Sequence, residues 1–179
     1  VGQITILVVS DFGDVQIGFP GRMTCQWSAG RPGFVSIEKE SKMAGNVLQK
    51  GELTVQGYLQ SLFAKKYPLS LNITYTIEQS YNMVDGDSAS MALFYCIVSA
   101  LSEVPIRQDI AITGSLSQRG EPQAIGGANE KIEGFFETCA MIGRFSGSHV
   151  SNQFSSFSES ITMKNTMIGT STVYTTQVA

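Results

Sequence analysis

From Ser88 to Ser102 the chain reads "SASMALFYCIVSALS", without a single charged residue. Small and apolar side chains fall on every side of a helix drawn through it, and a helix without a polar face is buried. Its most apolar part, Ala89 to Leu101, is about a dozen residues long and includes serines, well short of the roughly 20 that a membrane helix needs. The segment is therefore expected as a buried helix of a globular core. At 179 residues, the chain fits one domain, or two small lobes sharing a core, and can bury roughly two-thirds of its unfolded surface.

The flanking segments switch between two periods. "QITILVV", "GRMTCQWS" and "GFVSIEKE" are short β-branched or alternating stretches separated by Gly and Pro, which predicts an antiparallel N-terminal sheet. "KGELTVQGYLQSLFAKKY" takes up helical spacing, with Leu59, Leu62 and Phe63 as its apolar stripe and Pro68 as its stop. "LSLNITYTIEQS" alternates Leu71, Ile73, Tyr75 and Ile77 on one face, a half-buried strand. After the Ser88–Ser102 helix, "RQDIAITGSLSQRG" reads as a strand and a turn. "GGANEKIEGFFETCAMIG" then reads as a second good helix, with Ile132, Phe135, Phe136 and Cys139 on one side. Strands and helices in this order predict an α+β or mixed α/β domain over residues 1–143. From 144 to 179 the chain is crowded with Ser and Thr, poor in charge and without a sustained period, so weak order is expected there.

Composition removes several function classes. With 42% apolar and 15% charged residues the folded part has no disorder signature, and a net charge of -3 gives no electrostatic reason to expect nucleic acid. Three cysteines, Cys25, Cys96 and Cys139, are an odd count without a CxxC pair, which argues against a disulfide framework or a zinc site and for a reducing compartment. "ITILVVS" lacks a basic flank and a cleavage site and reads as a strand. A cytoplasmic protein is expected.

The chemistry gathers where "DGDS" meets the uncharged helix. Asp85, Asp87 and Ser88 could simply cap that helix, since all three residue types accept hydrogen bonds from free N–H groups. Alternatively, the helix start offers N–H donors to a developing oxyanion, with Ser88 as a nucleophile beside them. The second reading needs a base. The single histidine, His149, lies in the Ser/Thr-rich stretch, so a Ser-His-Asp triad is set aside. Lys131 is placed unusually, in the first turn of the second helix just after "GGAN". A cation there opposes the helix dipole by about 0.3–1 kcal/mol, and the same field favours the neutral amine. To act as a base its pKa would have to fall well below about 10.4, which burial among apolar groups can bring about. The bland alternative is a solvated lysine pairing with Glu130 or Glu133.

Three stretches in order, "DGDSAS" at 85–90, "RQDIAITGSLSQRGE" at 107–121 and "IGGANEKIEGFF" at 125–136, together resemble the proteolytic domain of the Lon family, serine proteases with a Ser-Lys dyad. The acidic residue before the serine resembles the B-type and related bacterial Lon-like variants. The opening "GQITILVVSDFGDVQIGFPGRMT" is also similar, so the likeness runs from Gly2 to about Cys139. It implies a Lon-type α+β fold of mixed sheets with packed helices. It also implies that Ser88 is the nucleophile, Lys131 its base, and Thr113 the residue holding the lysine amine. Asp85 and Asp87 keep two readings, as helix caps or as acids that orient or regulate the dyad. The implied substrates are peptides and unfolded or misfolded proteins, and the implied assembly is a hexameric ring.

Two departures from the family pattern bear on this. No GxxxxGK[ST] phosphate loop occurs in the chain, so no cofactor is expected here and ATP is expected only on a separate ATPase part. After the Lys131 helix the sequence runs "MIGRFSGSHVSNQF" instead of the family's "GLTG" and "QGVxIP", which is expected to weaken the ring. A non-catalytic assembly module is the competing reading. A small-molecule transferase would call for the phosphate loop that is absent from the sequence.

Overall fold

The computed structural model describes residues 1–31, 33–142 and 174–177. A long hairpin opens the chain. β1 (Gln3–Asp11) and β2 (Gln16–Ala29) pair antiparallel from Gln3 opposite Thr24 to Asp11 opposite Gln16. β3 (Gly33–Ser36) runs into the single-turn helix α1 (Ile37–Glu40), and α2 (Asn46–Phe63) follows. After these come β4 (Leu71–Glu78), α3 (Ser90–Ser102), β5 (Ile110–Thr113), the short β6 (Ser115–Leu116) and β7 (Pro122–Gln123), α4 (Ala128–Met141) and β8 (Tyr174–Gln177). The main sheet is ordered β3-β4-β2-β1-β5-β8, and among the described residues β6 pairs with β7 in a separate two-stranded sheet. The fold is α+β with a mixed sheet, as the sequence predicts.

The N-terminal sheet is not wholly antiparallel. β2 and β4 pair antiparallel, but β3 lies parallel to β4 and β5 parallel to β1. "GFVSIEKE" therefore supplies a four-residue strand and a helical turn rather than a third meander strand. Ser36 ends the strand by accepting a hydrogen bond from the Lys39 N–H, which caps α1. Of the Ser/Thr-rich stretch, Tyr174–Gln177 forms a strand antiparallel to β5. The remainder of that stretch, His149 included, lies outside the described residues.

Side-chain alternation assigns the two faces of the sheet. Ile4 and Ile6 of β1 join Met23, Cys25, Ile73, Tyr75 and Ile77 beneath α2 and α3, whereas Leu7, out of phase with them, packs with Ala111, Phe135 and Cys139 under α4. The uncharged helix α3 is central to the first layer: Met91, Ala92, Leu93, Cys96 and Ile97 are all buried. Each fully buried large aliphatic side chain contributes about 1.5–3 kcal/mol, so this layer dominates stability. Among the described residues no helix is long and apolar enough to cross a membrane.

α4 sits unusually close to the sheet. A Cβ built on Gly134 would lie 1.7 Å from the Gly18 carbonyl oxygen, and one on Gly18 would lie 1.9 Å from the Glu130 oxygen. Only glycine at both positions lets the helix backbone rest on β2. Gly134→Ala is expected to destabilise the protein by about 1–3 kcal/mol through overpacking, read as a lowered urea midpoint. Gly30→Ala, whose Cβ would meet nothing within 4 Å, is expected to leave the midpoint unchanged or slightly raised. Equal losses in both variants would refute the close-contact account.

Candidate active site

Three elements converge at the carboxyl end of β5. Ser88 lies in the turn before α3, which begins at Ser90 with Ala89 as its cap residue. This is two residues later than the expected start, and it leaves Ser88 half-buried in the turn rather than within the helix. The end of β5 clamps that turn: the Gly114 N–H donates to the Ser88 carbonyl at 2.7 Å, and the Met91 N–H donates to the Gly114 carbonyl at 3.1 Å. A Cβ on Gly114 would lie 2.5 Å from the Met91 sulfur, so a larger residue there would have to displace that buried side chain.

Lys131 enters from α4. Gly127 opens that helix in the left-handed region at φ 67°, and Lys131 lies in its first turn, with its N–H donating to the Gly127 carbonyl at 3.1 Å. The side chain is only 4% exposed. It points inward because α4 rests on Gly18, which faces the backbone at Glu130 and Lys131. Lys131 Nζ donates to Ser88 Oγ at 2.9 Å and to Thr113 Oγ1 at 3.3 Å. Thr113, 1% exposed at the end of β5, donates its own hydroxyl proton to the Ser88 carbonyl at 3.4 Å. The solvated lysine paired with Glu130 or Glu133 is thus not what the fold builds. Burial pushes the Lys131 pKa down from its ordinary value, and the negative charge of Asp87 opposes that shift.

The two aspartates part company. Asp85 Oδ1 accepts hydrogen bonds from the N–H groups of Val47 at 2.9 Å, Leu48 at 3.0 Å and Gly86 at 2.9 Å. It therefore caps α2, not the helix that follows it in sequence. The cap residue of α2 is Gly45, which has no side chain to offer, and a Cβ there would collide with the Asp85 carboxylate. These backbone donors hold the Asp85 carboxyl below the usual carboxylate range. Asp87 Oδ2 accepts from Ser115 Oγ at 2.8 Å, and neither aspartate side chain caps α3.

Ser88 and Lys131 open onto a cleft of about 370 Å3 walled by β1, Asp85–Ala89 and Gly126–Gly127. A hydroxyl hydrogen-bonded to a buried amine, facing an open cleft, has the geometry for nucleophilic attack on a carbonyl. Sequence reasoning located Ser88, Lys131 and Thr113 but missed the glycines that place them. A glycine inside a helix costs about 1 kcal/mol relative to alanine, so Gly134 in "KIEGFF" was the available signal for a close backbone approach.

Comparisons with known proteins bear on the family. Residues 72–136 match the family model of the Lon protease (S16) C-terminal proteolytic domain. The chain is 43% identical over 141 residues to a Lon protease homolog of Escherichia coli strain K12, and 40% identical over the same length to one of Haemophilus influenzae. Each alignment covers 78% of this chain but 24% of the relative. It is also 56% identical over 59 residues to the archaeal Lon protease of Thermococcus kodakarensis, which is 33% of this chain and 9% of that protein. The fold is that of a Lon-type proteolytic domain, and the chain belongs to the Lon family. It spans about a quarter of the length of the two bacterial relatives.

The Asp85 cap predicts a pH signature. A carboxyl whose folded pKa is depressed adds stability above its unfolded value of about 3.9 and loses that contribution as pH falls through the folded value. Urea midpoints of wild type and Asp85→Asn should therefore differ most above about pH 5 and converge in acid. A gap independent of pH would show that the carboxylate charge is not what caps α2.

Proposed function

We propose that this domain is a serine endopeptidase in which Ser88 is the nucleophile and Lys131 the general base. The observation that supports it most is the 2.9 Å contact between Lys131 Nζ and Ser88 Oγ, made by an amine that is almost completely buried. Ser88 Oγ attacks the peptide carbonyl carbon while its proton passes to Lys131 Nζ. The tetrahedral oxyanion is held by the backbone N–H of Ser88 at the turn into α3. Lys131 then protonates the departing amine, leaving an acyl-serine. Water attacks the ester with Lys131 again taking the proton and returning it to Ser88. Thr113 orients the amine by accepting its second hydrogen bond.

The substrates proposed are peptides and unfolded or misfolded proteins lying extended in the cleft. This domain would be the proteolytic part of an ATP-dependent protease that acts in the cytoplasm as a homo-oligomeric, hexameric ring, with ATP used only by a separate ATPase part.

A serine-directed acylating probe, read by intact mass, tests the assignment. Wild type should gain one adduct and hydrolyse an unstructured peptide, and Ser88→Ala should do neither while unfolding at a similar urea concentration. Lys131→Arg should be nearly inactive as well, because a guanidinium is not deprotonated in proteins. The acid limb of kcat/KM should lie below the ordinary lysine value of about 10.4, with activity rising as the amine loses its proton. Hydrolysis by Ser88→Ala at the wild-type rate would sink the assignment. Wild type that neither labels nor cleaves would favour the assembly-module reading.

Peptide cleavage by the isolated chain should also be indifferent to nucleotide, and stably folded proteins should resist it. Acceleration by ATP in the absence of any other polypeptide would refute the division of labour.

A further inference from the structure

The Asp87 carboxylate presents a difficulty for a lysine base. It lines the same cleft as Ser88 and Lys131, and its charge favours the protonated amine. A carboxylate that closes on a lysine makes an ion pair, and an ion-paired ammonium cannot take a proton. Yet the ion pair found among the described residues is Arg107 with Asp109, just before β5 and so at the opposite end of that strand from Thr113. Asp87 Oδ2 instead accepts the Ser115 hydroxyl proton at 2.8 Å. Ser115 is 2% exposed, and its hydroxyl also lies 3.3 Å from Gln123 Oε1 across the β6–β7 pair. A hydroxyl has one proton to give, and the nearer, charged acceptor takes it.

We propose that Ser115 is a positioning residue: its hydroxyl tethers the Asp87 carboxylate to the β6–β7 hairpin, out of ion-pairing reach of Lys131, and so keeps the amine available as a base. This rests on the catalytic reading given above and adds, beside the burial that favours the neutral amine, an element that limits the opposing pull of Asp87. The other groups around Lys131 cannot take over this part. Asp85, in the same loop, is committed to the N–H groups of Val47, Leu48 and Gly86. β1 and β2 offer Ile6, Leu7, Val8, Val9, Gln16 and Gly18, none of them charged. β5 offers Thr113, which is already bonded to the amine, and α2 offers Leu48. On α4 itself, Glu130 lies toward Gly127 and Glu133 is exposed to solvent. Asp87 is thus the charge that matters, and the hairpin is what restrains it.

The bland account of the same contact is that a buried serine hydroxyl needs an acceptor and finds one. The two accounts differ in what happens to Lys131. The test is an NMR titration of the full chain carrying isotopically labelled lysine, with the Lys131 resonance identified through Lys131→Arg. Ser115→Ala should raise the Lys131 midpoint by about one pH unit, because the released carboxylate can approach the amine. Asp87→Asn should lower it below wild type. The double variant should titrate like Asp87→Asn alone, since no carboxylate is left to release. An unmoved midpoint in Ser115→Ala, or the same upward shift with asparagine at 87, overturns the proposal. Should Ser115→Ala not fold, Asp87→Asn still decides: an unchanged Lys131 midpoint refutes it. The titration needs no turnover, so a wild-type chain without Ser88-dependent hydrolysis would overturn the catalytic reading and leave this result standing on its own.

Discussion

The backbone of α4 lies directly on that of β2, glycine against glycine, and the position of Lys131 follows from that contact. Gly134 faces the Gly18 carbonyl and Gly18 faces the backbone at Glu130 and Lys131, with no room for a Cβ on either side. Helices ordinarily pack through their side chains, which hold the axis 8–10 Å from its neighbour. Here the side chains are removed at the crossing, and the helix sinks until its first turn is level with the end of β5. Lysine is the residue in that turn that faces inward. Glycine inside a helix and inside a strand costs conformational entropy at both positions, and the packing of Phe135 and Cys139 on Leu7 and Ala111 offsets it.

Placing a lysine in that pocket creates an electrostatic conflict that the surrounding residues manage. Near the positive end of a helix dipole and away from water, an ammonium is disfavoured and a free amine is not. Two hydroxyl groups, from Ser88 and Thr113, accept the amine's hydrogen bonds without bringing charge. Thr113 closes a loop of contacts by donating to the Ser88 carbonyl, so the strand end, the turn and the helix are tied at one point. Glu130 sits in the same first turn of α4, where a negative charge suits the dipole.

The paired carboxylates of "DGDS" show how neighbours in sequence can serve different parts of a fold. Asp85 turns away from the site and gives α2 the cap that Gly45 cannot supply. Asp87, on the other side of Gly86, turns toward Ser115 and the β6–β7 hairpin. Gly86, between them, has φ 112°, a conformation that side chains with a Cβ rarely adopt. One short loop therefore joins the start of α2, the serine turn and the hairpin.

The amino-acid sequence alone determined the buried helix, the half-buried strand and the candidate residues. An uncharged run of that length can only be covered, alternation at Leu71, Ile73, Tyr75 and Ile77 has one reading, and a lysine at a helix start is an electrostatic misfit wherever it occurs. What it could not determine depends on distances between segments far apart in the chain. The parallel pairing of β3 with β4, the strand at Tyr174–Gln177 and the choice of helix capped by Asp85 are all set by which backbone groups lie within hydrogen-bond reach, and residue type does not encode reach. Whether Asp87 presses on Lys131 or is held from it is likewise a matter of a few ångströms, which the tertiary structure decides by placing Ser115 beside one carboxylate oxygen.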